Sequence, residues 1–197
     1  MYILGNAAAG GSELIQTVHP YLETINHEFR LSTFFGILSG REVIIVDKAD
    51  RALRIKISSE IGMRIPIFAG VAGKALLSQL PETDIDKILS EITPKRYTPR
   101  TITEKAAYRK EILGVKKTGI AYDREEYIEG LIAVAVPLQT HRADLQAAIW
   151  AVGLKQEFRE DVMIRFTQFL SNTVTEINYR FSMIAGPLGP VHEALDA

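Results

Sequence analysis

Apolar residues recur along this chain with two periods, and the switches between them divide it into elements. Leu14, Ile15, Val18, Leu22, Ile25 and Phe29 follow helical spacing, which puts residues three and four apart on one face. Ser12, behind the pair Gly10-Gly11, reads as the N-cap. Pro20 predicts a bend, so one bent helix is expected from about Ser12 to Phe29. From Leu31 to Leu38 β-branched and aromatic residues take over. The turn Ser39-Gly40-Arg41-Glu42 then leads to Val43-Ile44-Ile45-Val46. Two such runs joined by a short glycine-containing loop predict a hairpin. Leu53-Arg54-Ile55-Lys56-Ile57 alternates strictly, as a half-buried strand does.

Gly70 to Leu80 is a small-residue stretch that becomes helical and is stopped by Pro81. Thr83 reads as the cap of a second short helix, with Ile85, Ile88, Leu89 and Ile92 as its buried stripe. Residues 93–103 carry Pro94 and Pro99 and read as a loop. Glu104 to Lys117 reads as an exposed helix that Gly119 terminates. Ile120 to Asp123 is a short strand, Arg124 to Gly130 an acidic loop, and Leu131 to Leu138 a buried central strand with an edge or terminus at Pro137. Ala147 to Gly153 is another strand. The longest helix is expected from Phe158 to Ile184, with Phe158, Val162, Phe166, Phe169, Leu170, Val174, Ile177, Phe181 and Ile184 as one stripe. The tail after Gly186 should be loosely ordered. Strands in the middle, helices at both ends and hairpin spacings predict an α+β fold: a twisted, largely antiparallel sheet flanked by helices.

Composition narrows the function classes. The 197 residues, 47% of them apolar, suffice for a full core. There is no cysteine, which excludes disulfides, thiolate catalysis and Cys-ligated zinc. With 23 basic and 24 acidic side chains the net charge is -1, so no global field draws the chain onto phosphates. No apolar run approaches the ~20 residues that span a bilayer, and the start lacks the basic and apolar regions of a signal peptide. The balance reads as cytoplasmic.

Candidate chemistry is sparse. No pair among His19, His27, His141 and His192 has the i, i+4 spacing of a helical metal site, and structural or surface roles are expected. No nucleophile elbow or complete phosphate loop occurs. Gly73 has two readings: close helix packing, or part of a loop and helix start that line a small-molecule pocket and present N–H groups to a carboxylate. Tyr122-Asp123-Arg124-Glu125-Glu126 ends a strand with three carboxylates. Such a run is either a solvated loop or acid–base machinery; Asp123, at the strand end, is placed to point into a cavity. Trp150, the single tryptophan, shares a strand face with Val152. It is either core or the residue that shapes a pocket.

Three ordered segments resemble the IclR-type bacterial transcription regulators. Met63 to Leu77, with Gly70-Val71-Ala72-Gly73-Lys74-Ala75-Leu76-Leu77, resembles the family's P-L-H-A-T-A-x-G-K-A-L-L-A segment. Gly119 to Glu126 with Gly130 is similar to G-Y-A-x-D-x-E-E…G, and Leu131 to Leu138 to the I-A-A-P-V strand after it. Gly40 to Asp47 fits the D-G-x-E-V-V-Y-V-D hairpin. The likeness covers about residues 3 to 182. It implies a GAF-like effector-binding domain that senses a small carboxylate or aromatic acid. It also implies a homodimer or dimer of dimers (a tetramer), and DNA binding only through a winged helix-turn-helix. Tyr2-Ile3-Leu4-Gly5 is similar to the end of that module's wing. On this likeness residues 1–9 are the remnant of a linker, 10–185 the effector-binding domain and 186–197 a flexible tail.

The resemblance also carries site positions. Val71 and Ala72 would meet the effector carboxylate through backbone N–H groups, with Gly70 beside them at the site. Asp123 would stand at the pocket mouth, and Leu131 and Ala133 on the next strand. Trp150 and Val152 match positions that are often small and hydroxylic in relatives binding small keto acids, and Phe68 stands where a histidine is frequent. Ile57 and Ile65 complete the expected wall. These departures imply a more apolar or aromatic ligand, or a pocket partly filled by Trp150. No catalytic residue, metal or cofactor is expected. Two other readings stay open: a metal-assisted or carboxylate-dependent enzyme using Asp123, Glu125 and Glu126, and an oligomerisation module built on the last helix.

Overall fold

The computed structural model describes residues 2–50, 59–142 and 144–184, with side chains from Ser12 onward. The first helix, α1, is Tyr2–Phe29. It continues through Gly10-Gly11, so residues read as a linker remnant are helical, and Ser12 is interior and not an N-cap. The Ser12 hydroxyl instead accepts from Gln16 Nε2 at 3.4 Å, one turn on. Helix propagation carries a formed helix over residues of low propensity. Pro20 also lies inside α1.

The hairpin forms as expected: β1 (Ser32–Ser39) pairs antiparallel with β2 (Glu42–Ala49). A third strand, β3 (Arg64–Pro66), adds to β2. The expected strand at Leu53 to Ile57 and the tail from Gly186 lie outside the described residues. Three helices follow: α2 (Gly70–Leu77), α3 (Glu82–Glu91) and α4 (Lys105–Thr118). Pro81, not Thr83, takes the N-cap position of α3; a fixed φ and a missing N–H suit proline to a helix start. Gly119, at φ 74°, terminates α4. That helix is not simply exposed, because Tyr108, Ile112 and Val115 are buried. The chain continues through β4 (Ala121–Arg124), β5 (Leu131–Leu138), β6 (Ala147–Leu154) and α5 (Glu160–Ile184).

The six described strands make one sheet in the order β3-β2-β1-β6-β5-β4, and every neighbouring pair is antiparallel. Strands β1 and β6 meet at its centre, so β5 is one strand in from the edge rather than central. Strand alternation sorts the side chains onto two faces. On one face Phe35, Val134, Val136, Ile149 and Ala151 pack against Val18, Leu22 and Ile25 of α1 and Phe166, Leu170, Ile177 and Phe181 of α5. On the other, Phe34, Ala133, Ala135, Ala148 and Trp150 meet Val71, Ala72, Ala75 and Leu76 of α2. Helices cover both faces, which accounts for the unbroken apolar run of β5. Its Pro137 lies past the end of β4, whose last partner is Ala135. One flank is open there, as a residue without an N–H requires.

A Cβ on Gly73 would lie 1.8 Å from the Ile67 carbonyl oxygen and 2.9 Å from the Tyr108 hydroxyl. The close-packing reading of Gly73 therefore holds. Without a side chain at 73, the turn at 67–69 seats tightly against α2 and aims the helix start at the sheet.

Candidate functional site

Between the start of α2 and the sheet lies a cavity of about 60 Å³. Phe34, Ala133, Trp150 and Val152 reach it from three adjacent strands. Ile65 closes one side, and Ser59, Tyr127, Ile128, Leu131 and Ile132 also line it. The turn Ala69-Gly70-Val71-Ala72 and Asp123 complete the wall.

Nine positions singled out from the sequence converge here: Ile65, Gly70, Val71, Ala72, Asp123, Leu131, Ala133, Trp150 and Val152. Phe68 does not line the cavity. The Ala69 N–H donates to the Pro66 carbonyl at 2.7 Å, and within this turn the Phe68 ring packs on Tyr108, centroids 4.5 Å apart, in a separate cluster with Ile67, Leu77 and Ile112. Ile57 lies outside the described residues. Sequence reasoning misses Phe34, Ser59, Ala69, Tyr127, Ile128 and Ile132. Phe34 belongs because β1 pairs with β6 and sets it directly opposite Trp150; the rings stack at 5.5 Å and 22°. For Tyr127 the one available signal is an aromatic inside an acidic run.

Gly70 sits at φ 72°, a left-handed conformation that favours glycine. Ala69, at the N-cap, offers no side-chain cap. The N–H groups of a first helical turn have no acceptor within the helix, and the dipole there favours negative charge. Asp123 stands against this turn: a Cβ on Gly70 would meet its Oδ2 at 3.2 Å. Asp123 is only 6% exposed, and Oδ1 accepts the Glu126 N–H at 2.6 Å. Burial pushes its pKa up to about 6, and the Glu126 carboxylate adds to this. The amide hydrogen bonds and the Lys74 ammonium act in the opposite direction.

The other two carboxylates of the acidic run are committed elsewhere. Lys74, fully buried, donates to Glu126 and to the Tyr122 carbonyl, both at 2.8 Å, and approaches Glu111 of α4 at 3.4 Å. Glu125 pairs with Lys155 at 2.6 Å and accepts the Gly130 N–H at 3.1 Å. The Lys155 ammonium holds the Glu125 carboxyl below its ordinary range. Thr98 and Thr101 donate to the carbonyls of Glu125 and Glu126, each at 2.6 Å, and Tyr97 packs edge-on against Tyr127 at 4.9 Å. The rim of the cavity is thus pinned by the 93–103 loop. Among the described residues, no three His, Asp or Glu side chains converge as a metal site.

The arrangement offers hydrogen-bond donors and one buried acid at one end of a mostly apolar space. It defines a pocket-bearing α+β binding domain. Residues 6–179 match the family described as bacterial transcriptional regulator IclR C-terminal, and the chain belongs to this family. It is 29% identical over 145 residues to the HTH-type transcriptional regulator XynR of Escherichia coli, covering 74% of this chain and 58% of that protein. The match therefore spans little more than half of the relative's length. The crystal structure of the Thermotoga maritima IclR superposes with a TM-score of 0.81 at 24% identity, over 91% of this chain and 73% of that one. The inducer-binding domain of the PobR transcription factor from Acinetobacter, a double mutant in complex with 3-hydroxybenzoic acid, superposes with a TM-score of 0.74 at 24% identity, over 83% and 96%. At that identity the two structures establish the fold. Among the described residues, no helix is long and apolar enough to cross a membrane.

Proposed function

We propose that this chain is the effector-sensing part of a transcription regulator and that the cavity takes a small organic acid. One observation carries the reading: the turn Gly70–Ala72, without a side-chain cap, and the buried Asp123 meet at one end of a cavity whose other walls are mostly apolar. An acid would set its carboxylate against the first N–H groups of α2 and its carbon skeleton against Ile65, Val71 and Ile132. Membership of the regulator family supports the sensing role, and the PobR complex supports an acid as ligand. The near-zero net charge supports leaving DNA contact to an attached winged helix-turn-helix. In this reading the regulator is cytoplasmic and works as a homodimer or dimer of dimers. Occupancy of the cavity biases subunit packing through its differential affinity for the two arrangements. The role in this reading is binding, not catalysis: Glu125 and Glu126 are held by Lys155 and Lys74, which leaves Asp123 as the one carboxylate among the described residues that line the cavity.

The test is thermal unfolding against a panel of aliphatic and aromatic acids. A ligand at a hundred times its Kd stabilises by about 2.7 kcal/mol, so the midpoint should climb with acid concentration for at least one member. A panel in which no acid moves the midpoint overturns the reading.

A further inference from the structure

On the side of the sheet that faces α2, two stacked aromatic rings, Phe34 and Trp150, lie among small residues. Ala121, Ala133, Ala135 and Ala148 lie in this layer, and Ala135 and Phe34 flank Trp150 on its two neighbouring strands. The indole spreads over Gly36: a Cβ there would come within 2.7 Å of Cη2 and 2.8 Å of Cζ3. Gly36 is thus what allows the ring to lie flat along the sheet, stacked with Phe34. Trp150 is only 5% exposed and still forms part of the cavity wall.

The space left over is about 60 Å³. A cavity of roughly 150 Å³ with apolar lining accepts benzene. A hydroxybenzoate, which adds a carboxylate and a hydroxyl to that ring, exceeds this space beside the indole by far more than a short acid such as propionate, which has half as many heavy atoms. The neighbouring walls, Ile65, Val71, Ile132 and Val152, suit such a chain.

We propose that Trp150 sets the size of the effector: its indole fills the place an aromatic ligand would take and restricts the cavity to short aliphatic acids. This rests on reading the cavity as an acid site. It separates the chain from the PobR domain of the same fold, which is seen with 3-hydroxybenzoic acid. Deleting the indole leaves Gly36 and alanines beside Phe34, with few side-chain atoms to refill the space.

Titration calorimetry on the 197-residue chain, with propionate, butyrate and 3-hydroxybenzoate as probes, tests this. Because Trp150 is the only tryptophan, a shift of its emission reports occupancy of the cavity directly. Wild type should bind propionate or butyrate roughly tenfold or more tighter than 3-hydroxybenzoate, the discrimination a misfit of a methylene or more produces. Trp150→Ala should move that ratio toward 3-hydroxybenzoate by a similar factor. Should Trp150→Ala not fold, Trp150→Leu keeps an apolar filler and should move the ratio the same way by less. Wild type binding 3-hydroxybenzoate as tightly as the short acids overturns the proposal, as does a ratio unmoved in the folded variant. If neither wild type nor variant binds any of the three, the acid-site reading falls, and the size limit falls with it.

Discussion

Burial holds the Asp123 carboxyl at a pKa of about 6 in the folded chain, against roughly 3.9 for an aspartate in an unfolded one. The sign follows from which state keeps the proton. Between these values the native state is protonated and the unfolded state is not, so stability falls as pH rises. The contribution is fully present below about pH 4 and is lost as pH passes through about 6, a loss on the order of 3 kcal/mol. Asp123→Asn removes the titration, and its carbonyl can still accept the Glu126 N–H. Urea unfolding from pH 4 to 7 should show wild type losing stability relative to the variant; a flat difference curve would refute the assignment. Asp123 itself is legible in the sequence, because a carboxylate where a short strand meets an acidic loop is a local pattern. Phe34 is not: its place in the cavity comes from the pairing of β1 with β6, two strands far apart in sequence. Phe68 misleads for a related reason. It neighbours the pocket-lining residues in the chain, but the turn that ends at Ala69 delivers it to the cluster around Tyr108.

Elements with a long, clean period are legible, and their ends less so. The hairpin and α4 with its terminating Gly119 form where the pattern puts them, and α5 ends at Ile184 as expected but begins at Glu160, so Phe158 of the predicted stripe precedes the helix. The start of α1 does not, because Gly10-Gly11-Ser12 is a local signal and an established helix can run through it. Position relative to neighbours also escapes: the apolar run of β5 records burial on two faces, not centrality. At this scale two glycines in helices make opposite predictions. Gly73→Ala would drive its Cβ to within 1.8 Å of the Ile67 carbonyl oxygen, backbone that cannot swing aside. The expected loss is about 3 kcal/mol or more, through overpacking that pushes α2 off the turn before it. Gly114 lies inside α4, where an added Cβ would meet nothing within 4 Å. Gly114→Ala should therefore gain about 0.5–1 kcal/mol from helix propensity and reduced unfolded-state entropy. Denaturant midpoints of the two variants should move in opposite directions. A tolerated Gly73→Ala would mean that α2 is not seated as described.

The sheet divides the whole molecule into a side that packs and a side that receives. Opposite the cavity, Phe166 is fully buried and meets Phe29 at 4.9 Å and Phe158 at 5.9 Å. It joins α5 to α1 within a core of large apolar residues. The α2 side instead combines alanines with the stacked Phe34 and Trp150, and encloses a small space. In a sensor this division has a purpose: the first side supplies stability, so the second can stay incompletely filled until a ligand arrives. The two contributions should then separate experimentally. Phe166→Ala should cost about 3–5 kcal/mol, as deletion of a buried aromatic does, and lower the thermal midpoint by roughly 10 °C. Its Kd for the acid that stabilises wild type most should stay within about twofold when both proteins are measured well below their midpoints, since sites with no shared partners add nearly independently. A tenfold loss of affinity in Phe166→Ala would mean that the cavity is held in shape through the sheet by the α1–α5 layer. The division into independent sides would then be wrong, and that layer would become the route by which an occupied cavity is felt elsewhere in the regulator.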